Sequence, residues 1–225
     1  WTVRSYGYNG QVEFRAGLHG HPGTRGYLHF DWLDQGALDR NSAFLHTVTR
    51  FTQIELAEAF SLDLNAPGAK YQYWDSMSMP EVVARVNLYS GEEVSAEKLV
   101  AMYTSRDVTN PLEAAREKIG AARKTGYERL KTANRTAWEQ EWQRCDITIE
   151  GDDRADRAVR YNLFQLLIAA SRNDDRVSIP AKALSGYGYH GHVFWDTEIF
   201  ILPFFTFTSP HIARNLLMYR YHTLP

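Results

Sequence analysis

Between Gly186 and Glu198 the sequence reads Gly186-Tyr187-Gly188-Tyr189-His190-Gly191-His192-Val193-Phe194-Trp195-Asp196-Thr197-Glu198, and a largely apolar run, Ile199 to Phe205, follows at once. Polar and aromatic groups held beside an apolar wall are what a small-molecule site needs. A pyranose has an apolar face and a rim of hydroxyls. Trp195 offers a flat apolar surface to the first, and Asp196 can accept charge-assisted hydrogen bonds from two neighbouring hydroxyls of the second. The glycines beside them let a ligand come close to the backbone. The same residues also fit a purely structural helix start with Asp196 as its cap. Spacing leaves both readings open.

Other chemistries fit less well. Gly186-x-Gly188-x-x-Gly191 has the letters of a dinucleotide-binding turn, but that turn needs a strand before it and an acid about twenty residues on. Pro180 and Lys182 precede it, and no Asp or Glu follows Glu198. Gly191-His192 and Trp195-Asp196 echo a propeller blade, whose pairs stand far apart and must recur. His19-x-His21 and His190-x-His192 lack a clear third metal ligand, so hydrogen-bonding loop histidines are the favoured reading and no metal site is assigned. Asp196 and Glu198 sit two apart, which on a helix points them to different sides. They are therefore not read as an acid and base pair across one glycosidic bond; one can face a site while the other pairs elsewhere. Ser178 and Ser185 have no nucleophile-elbow context.

These residues need elements to carry them. The chain has 225 residues, 44% hydrophobic and 23% charged, with a formal net charge of -2. This is globular composition, enough for one large domain or two smaller ones, without the basic footprint of a nucleic-acid partner. Six Trp and thirteen Tyr suit a stacking ligand such as a sugar, and equally a well-packed core, the favoured reading. The single cysteine, Cys145, excludes an internal disulfide and favours a reducing compartment. No apolar stretch is long enough to span a bilayer, so neither membrane nor nucleic acid is foreseen and a cytoplasmic protein is the default. The chain opens at Trp1 within a presumed strand, without Met, and stops at Pro225, which reads as a fragment.

Residues 1–107 read as β structure. Val82, Ala84, Val86 and Leu88 alternate with Arg85, Asn87 and Tyr89. Phe44 to Leu64 is a longer strand-favouring run, although Glu55-Leu56-Ala57-Glu58-Ala59-Phe60 could pass for a helical turn. Trp1 to Tyr8, Gln11 to Arg15, Tyr27 to Trp32 and Lys98 to Thr104 are further strands, separated by turn signals such as Asn9-Gly10 and Asn65-Ala66-Pro67-Gly68. Many short strands with turns between them predict an antiparallel sandwich. From Asn110, a cap followed by Pro111, helix formers continue to about Arg144, interrupted at Gly120 and Gly126, with Tyr127, Trp138 and Trp142 as a buried stripe. Asp146 to Glu150 reads as a short strand. Gly151-Asp152-Asp153 opens a helix with Val159, Leu163, Leu166, Leu167 and Ala170 inward. Ser178 to Gly191 is a loop. Trp195 to Phe207 reads as a helix kinked or shortened by Pro203, and Ser209-Pro210 restarts one to about His222.

Pro180-Ala181-Lys182-Ala183-Leu184-Ser185-Gly186 and Tyr189 to Glu198 closely resemble glycoside hydrolase family 65, the maltose, trehalose and kojibiose phosphorylases and related α-glucoside hydrolases. Thr104-Ser105-Arg106-Asp107 and Leu202-Pro203-Phe204-Phe205 fit the same family. The resemblance implies a mixed, multi-domain fold: the later part of an N-terminal β-sandwich (1–107), a helical linker (108–144) and the first helices of an (α/α)6-barrel (145–225). It also implies that Trp195 and Asp196 bind the glucosyl unit where the bond is broken. The implied reaction is inverting phosphorolysis of a disaccharide, releasing glucose 1-phosphate, with phosphate as co-substrate and no cofactor. The general acid and the phosphate-holding groups are expected beyond Pro225, so Glu198 is not assigned that role and the chain alone should be inactive. An α-glucoside hydrolase or a non-catalytic carbohydrate-binding fragment are the alternatives. The resemblance also implies a homodimer for the intact enzyme.

Overall fold

A computed structural model describes residues 1–24, 26–186 and 188–224; Tyr187 of the glycine-rich motif and the terminal Pro225 lie outside them. Ten strands come first: β1 (Thr2–Arg4), β2 (Gly10–Gly17), β3 (Gly23–Thr24), β4 (Tyr27–Leu28), β5 (Phe30–Asp39), β6 (Ser42–Thr49), β7 (Glu55–Leu64), β8 (Lys70–Ser76), β9 (Met79–Leu88) and β10 (Glu93–Thr104). Among the described residues five α-helices follow: α1 (Pro111–Thr125), α2 (Tyr127–Cys145), α3 (Asp153–Ala169), α4 (Leu202–Thr208) and α5 (Pro210–His222). The chain divides into two compact units, Trp1–Thr132 and Ala133–Pro225.

The first unit is an antiparallel β-sandwich with a helix on its back. One sheet has the order β1-β10-β7-β6-β5, the second β2-β9-β8, and β3 and β4 form a small hairpin. Alternation in β9 turns Val82, Ala84, Val86 and Leu88 into the space between the sheets, where they meet Phe14, Ala43, Phe60, Leu62, Val94 and Ala96. The opposite face of the large sheet carries a second core, in which Phe44, Ala57, Ala59 and Ala101 receive Ala115 and Ile119 of α1. Strands β6 and β7 are thus covered on both sides. The alanines of β7 are small because a helix lies against them, and this accounts for the helical look of Glu55 to Phe60, which is strand throughout.

Several sequence expectations are corrected at the level of elements. Phe44 to Leu64 is not one run but the β6–β7 hairpin, with Val48 opposite Glu55. Trp1 to Tyr8 shrinks to β1, which pairs with the start of β10. Strand β8 carried no clear signal: its outward side chains are polar or exposed and only one of its edges is paired. Gly120 lies inside α1 rather than breaking it. The break is at Gly126, whose φ of +80° is left-handed and closes α1 through a bond from its N–H to the Ala122 carbonyl.

In the second unit Leu167, Ala170, Ile179, Phe205, Ile212, Ala213 and Leu216 form the core, with Trp138 and Trp142 packed on it. Tyr127, expected in the same buried stripe, is 46% exposed. Asp152 caps α3 by accepting from the N–H groups of Arg154 and Ala155, each at 3.0 Å. Asp146 to Glu150 forms no strand despite its alternation. The Asp146 N–H bonds the Trp142 carbonyl and the Ile149 N–H is taken by the Asp156 carboxylate, so no neighbouring strand is needed to satisfy them. Among the described residues no helix is long and apolar enough to cross a membrane.

Candidate functional site

The glycine-rich motif lies in the second unit, in the loop between α3 and α4. The segment Pro180 to Ser185 folds on itself through bonds from the Ala183 N–H to the Pro180 carbonyl and from the Ser185 N–H and hydroxyl to the Lys182 carbonyl. The next turn, 188–191, holds Tyr189 and His190 consecutively in the left-handed region, at φ 61° and 53°. Each such non-glycine residue stores on the order of 1 kcal/mol or more, and it persists because the surroundings enforce it. At Gly188 a β-carbon would stand 3.0 Å from Cγ of Lys182, whose stem crosses the glycine backbone, so a side chain there would push Lys182 aside.

After this loop the chain enters a π-helical turn, Thr197–Ile201, which runs into α4. The Leu202 N–H reaches back to the Thr197 carbonyl. The wide turn puts Pro203 in the first turn of α4, where its missing N–H breaks no helical bond, so the expected Trp195 to Phe207 helix is really two pieces. Thr197 is 3% exposed and its hydroxyl donates to the Ile179 carbonyl at 2.8 Å, stapling the turn to the loop opposite.

Between these two segments is a cleft of about 500 Å³ lined by Pro180, Ala181, Lys182, Tyr189, Phe194, Asp196, Thr197 and Ile201. Tyr189 and Phe194 meet edge to face at 5.6 Å between ring centres and form an aromatic wall. The Ala181 N–H to His192 carbonyl bond, 3.4 Å long, joins the two sides. A cationic Lys182, a carboxylate at Asp196 and an aromatic wall within one concavity suit a neutral ligand rich in hydroxyls.

Asp196 stands at the entry to the π-helical turn, yet its side chain makes no capping bond. The structural role that the sequence left open for it is therefore not used. Glu198 goes elsewhere. Its carboxylate accepts from Nε and Nη2 of Arg220 on α5 at 2.9 and 2.8 Å, and Nη2 also donates to the Phe194 carbonyl at 2.8 Å. The hydrogen bonds to Glu198 raise the Arg220 guanidinium above its ordinary pKa. Trp195 is not part of the cleft lining: it is 64% exposed, with its ring 6.2 Å from that of Phe200. Asp196 and Trp195 are thus neighbours in sequence that present to different surroundings.

The histidines are spread rather than gathered. His192 packs near Phe194, 6.4 Å between ring centres, and His19 and His21 are 6.5 Å apart in the first unit. Among the described residues no three His, Cys, Asp or Glu side chains group closely enough to hold a metal ion. Among the described residues no strand precedes the Gly186 to Gly191 pattern directly: β10 ends at Thr104 and α1, α2 and α3 lie between. Sequence reasoning missed Lys182, Tyr189 and Arg220. The first two lie inside the quoted motifs but carried no assigned role. Arg220 had no local signal, since its partners are up to 26 residues away.

The comparisons with known proteins agree along the chain. The family model for the glycosyl hydrolase family 65 N-terminal domain matches residues 1–141, and that for the family's central catalytic domain matches residues 160–225. Kojibiose phosphorylase of Halothermothrix orenii is 35% identical over 96% of this chain and 30% of its own length. Nigerose phosphorylase of Lachnoclostridium phytofermentans is 44% identical over 59% of this chain and 18% of its own. A solved structure from the human microbiome, assigned provisionally to kojibiose phosphorylase, superposes with a TM-score of 0.83 at 25% identity, covering 96% of this chain and 29% of that one. The chain spans less than a third of the first two curated relatives' length, at 30% and 27%. With the sandwich matched by one domain of the family and the helical segment that carries the motif by the next, this chain belongs to glycosyl hydrolase family 65.

Proposed function

We propose that this chain is the N-terminal portion of an inverting α-glucoside phosphorylase, and that Asp196 and Trp195 hold the glucosyl unit of a disaccharide. The observation that carries the reading is Asp196: a carboxylate without a capping bond, lining a cleft of about 500 Å³ beside an aromatic wall, within the family's catalytic domain. Asp196 would accept hydrogen bonds from two adjacent sugar hydroxyls, and the exposed Trp195 would cover the apolar face of the ring once a ligand or further chain meets it. Relatives named as kojibiose, nigerose and α,α-trehalose phosphorylases support a disaccharide and inorganic phosphate as substrates.

In that reaction a protonated acid donates to the glycosidic oxygen while phosphate attacks the anomeric carbon from the opposite face, and the configuration inverts. No residue of this chain is assigned as the acid. Glu198, engaged by Arg220, is committed to structure. In this reading residues 1–107 are sandwich, 108–144 linker and 145–225 the opening of an (α/α)6-barrel, and the intact enzyme is a homodimer. The test is to incubate the full-length protein with kojibiose, nigerose, maltose or trehalose and phosphate. Glucose 1-phosphate is the expected product. Glucose released at the same rate without phosphate would overturn phosphorolysis in favour of hydrolysis.

A further inference from the structure

Arg220 sits on α5, far in sequence from the motif, yet one guanidinium holds both flanks of Asp196. It donates to the carbonyl of Phe194, two residues before, and through two bonds to the carboxylate of Glu198, two residues after. The backbone that bears Asp196 is an arc whose two ends meet one rigid, planar fork. The other side of the arc is fixed by Thr197 on the Ile179 carbonyl. Asp196 makes no capping bond, and among the described residues its carboxylate has no hydrogen-bond partner, so its direction comes from the arc.

We propose that Arg220 is a positioning residue for the cleft: by clamping Phe194 and Glu198 it aims the Asp196 carboxylate at the ligand. The proposal rests on the reading of Asp196 as a sugar-binding residue. It explains why the half-buried Glu198 is bonded through both oxygens, and why arginine is used. A lysine ammonium is a point charge that cannot hold two carboxylate oxygens and a carbonyl in one plane.

The experiment is a cycle in the full-length protein with Asp196→Ala, Arg220→Met, Arg220→Lys and the Asp196→Ala/Arg220→Met pair. It reads kcat/KM for the disaccharide, KM for phosphate, and folding by circular dichroism. Misplacement of a binding group by about 1 Å costs on the order of a hundredfold, so Arg220→Met is expected to lower kcat/KM for the disaccharide between tenfold and a hundredfold. KM for phosphate should not move. Arg220→Lys should recover only part of the loss, and Arg220→Met should add nothing in the Asp196→Ala background. Additive losses, or an Arg220→Met enzyme equal to wild type while Asp196→Ala is impaired, would overturn the clamp and leave the site reading intact. An Asp196→Ala enzyme with unchanged kcat/KM would overturn the site reading itself, and the clamp with it. If Arg220→Met fails to fold, Glu198→Gln replaces it in the cycle: it keeps the shape and removes the charge, and the same non-additivity with Asp196→Ala is required.

Discussion

At the scale of single residues, the motif divides its labour between groups that face the cleft and groups that hold the backbone. Asp196 belongs to the first kind, and Thr197 and Glu198 to the second. Thr197→Val keeps the volume but leaves the buried Ile179 carbonyl unpaired. A loss of about 1–3 kcal/mol in urea unfolding is expected, the usual cost of such an orphan. Gly188→Ala is expected to act differently. Its β-carbon meets only the flexible stem of Lys182 at 3.0 Å, so stability should change little while Lys182 is displaced from the cleft. A drop in sugar affinity without a shift in melting temperature, measured by titration calorimetry and thermal unfolding, would bear this out. Sequence spacing already separated Asp196 from Glu198, but it did not say which of them would pair. That depended on Arg220, which no local pattern connects to the motif.

At the scale of elements, helix starts were the most legible features because their signals are local. Asn110 accepts from the Glu113 N–H at 3.2 Å ahead of Pro111, and Asp152 accepts from two N–H groups ahead of α3. Asp152→Ala should lower stability by about 1 kcal/mol, as loss of an N-cap does, with helix content by circular dichroism otherwise preserved. Leu167, buried in the helical core, is the stronger position. Leu167→Ala should cost about 2–5 kcal/mol through lost burial and the cavity left behind, read from the same unfolding curves. Strands were less legible where packing on both faces changed their composition. The alanines of β7 read as helical because the sequence does not announce that α1 will lie against them. The alternating Asp146 to Glu150 read as a strand because alternation says nothing about whether a partner exists.

At the scale of the molecule, acid tests how the first unit is held together. Arg123 of α1 reaches Asp39 at 2.7 Å and Asp63 at 3.0 Å, tying the helix to the large sheet. Burial alone would raise the Asp39 carboxyl, but hydrogen bonds from the Ser42 side chain, the Asn41 N–H and Arg123 outweigh it and hold it below its ordinary value. A depressed carboxyl contributes stability that is present above its unfolded pKa, near 3.8, and is lost as pH falls through the folded value. Glu58 has the opposite sign: burial raises it against the field of Lys98, so it withdraws stability as pH rises through its unfolded range. Asp39→Asn should therefore be less stable than wild type at neutral pH and lose less on acidification. Urea midpoints at about pH 7 and about pH 3 measure this difference. Midpoints falling in parallel would remove Asp39 from the account.

By itself the sequence determined the order of the fold, strands and then helices, because alternation, turn residues and caps act over a few neighbours. It also singled out the segment around Trp195 and Asp196 as a candidate, because glycines, aromatics, histidines and acids crowd into thirteen positions there. Only the tertiary structure decided which carboxylate faces the cleft. The guanidinium that withdraws Glu198 comes from a helix 22 residues further on, and the wall opposite Asp196 is held by Thr197 on Ile179, 18 residues before it. Contacts at that separation are set by packing, and packing is not written in any local window of the chain.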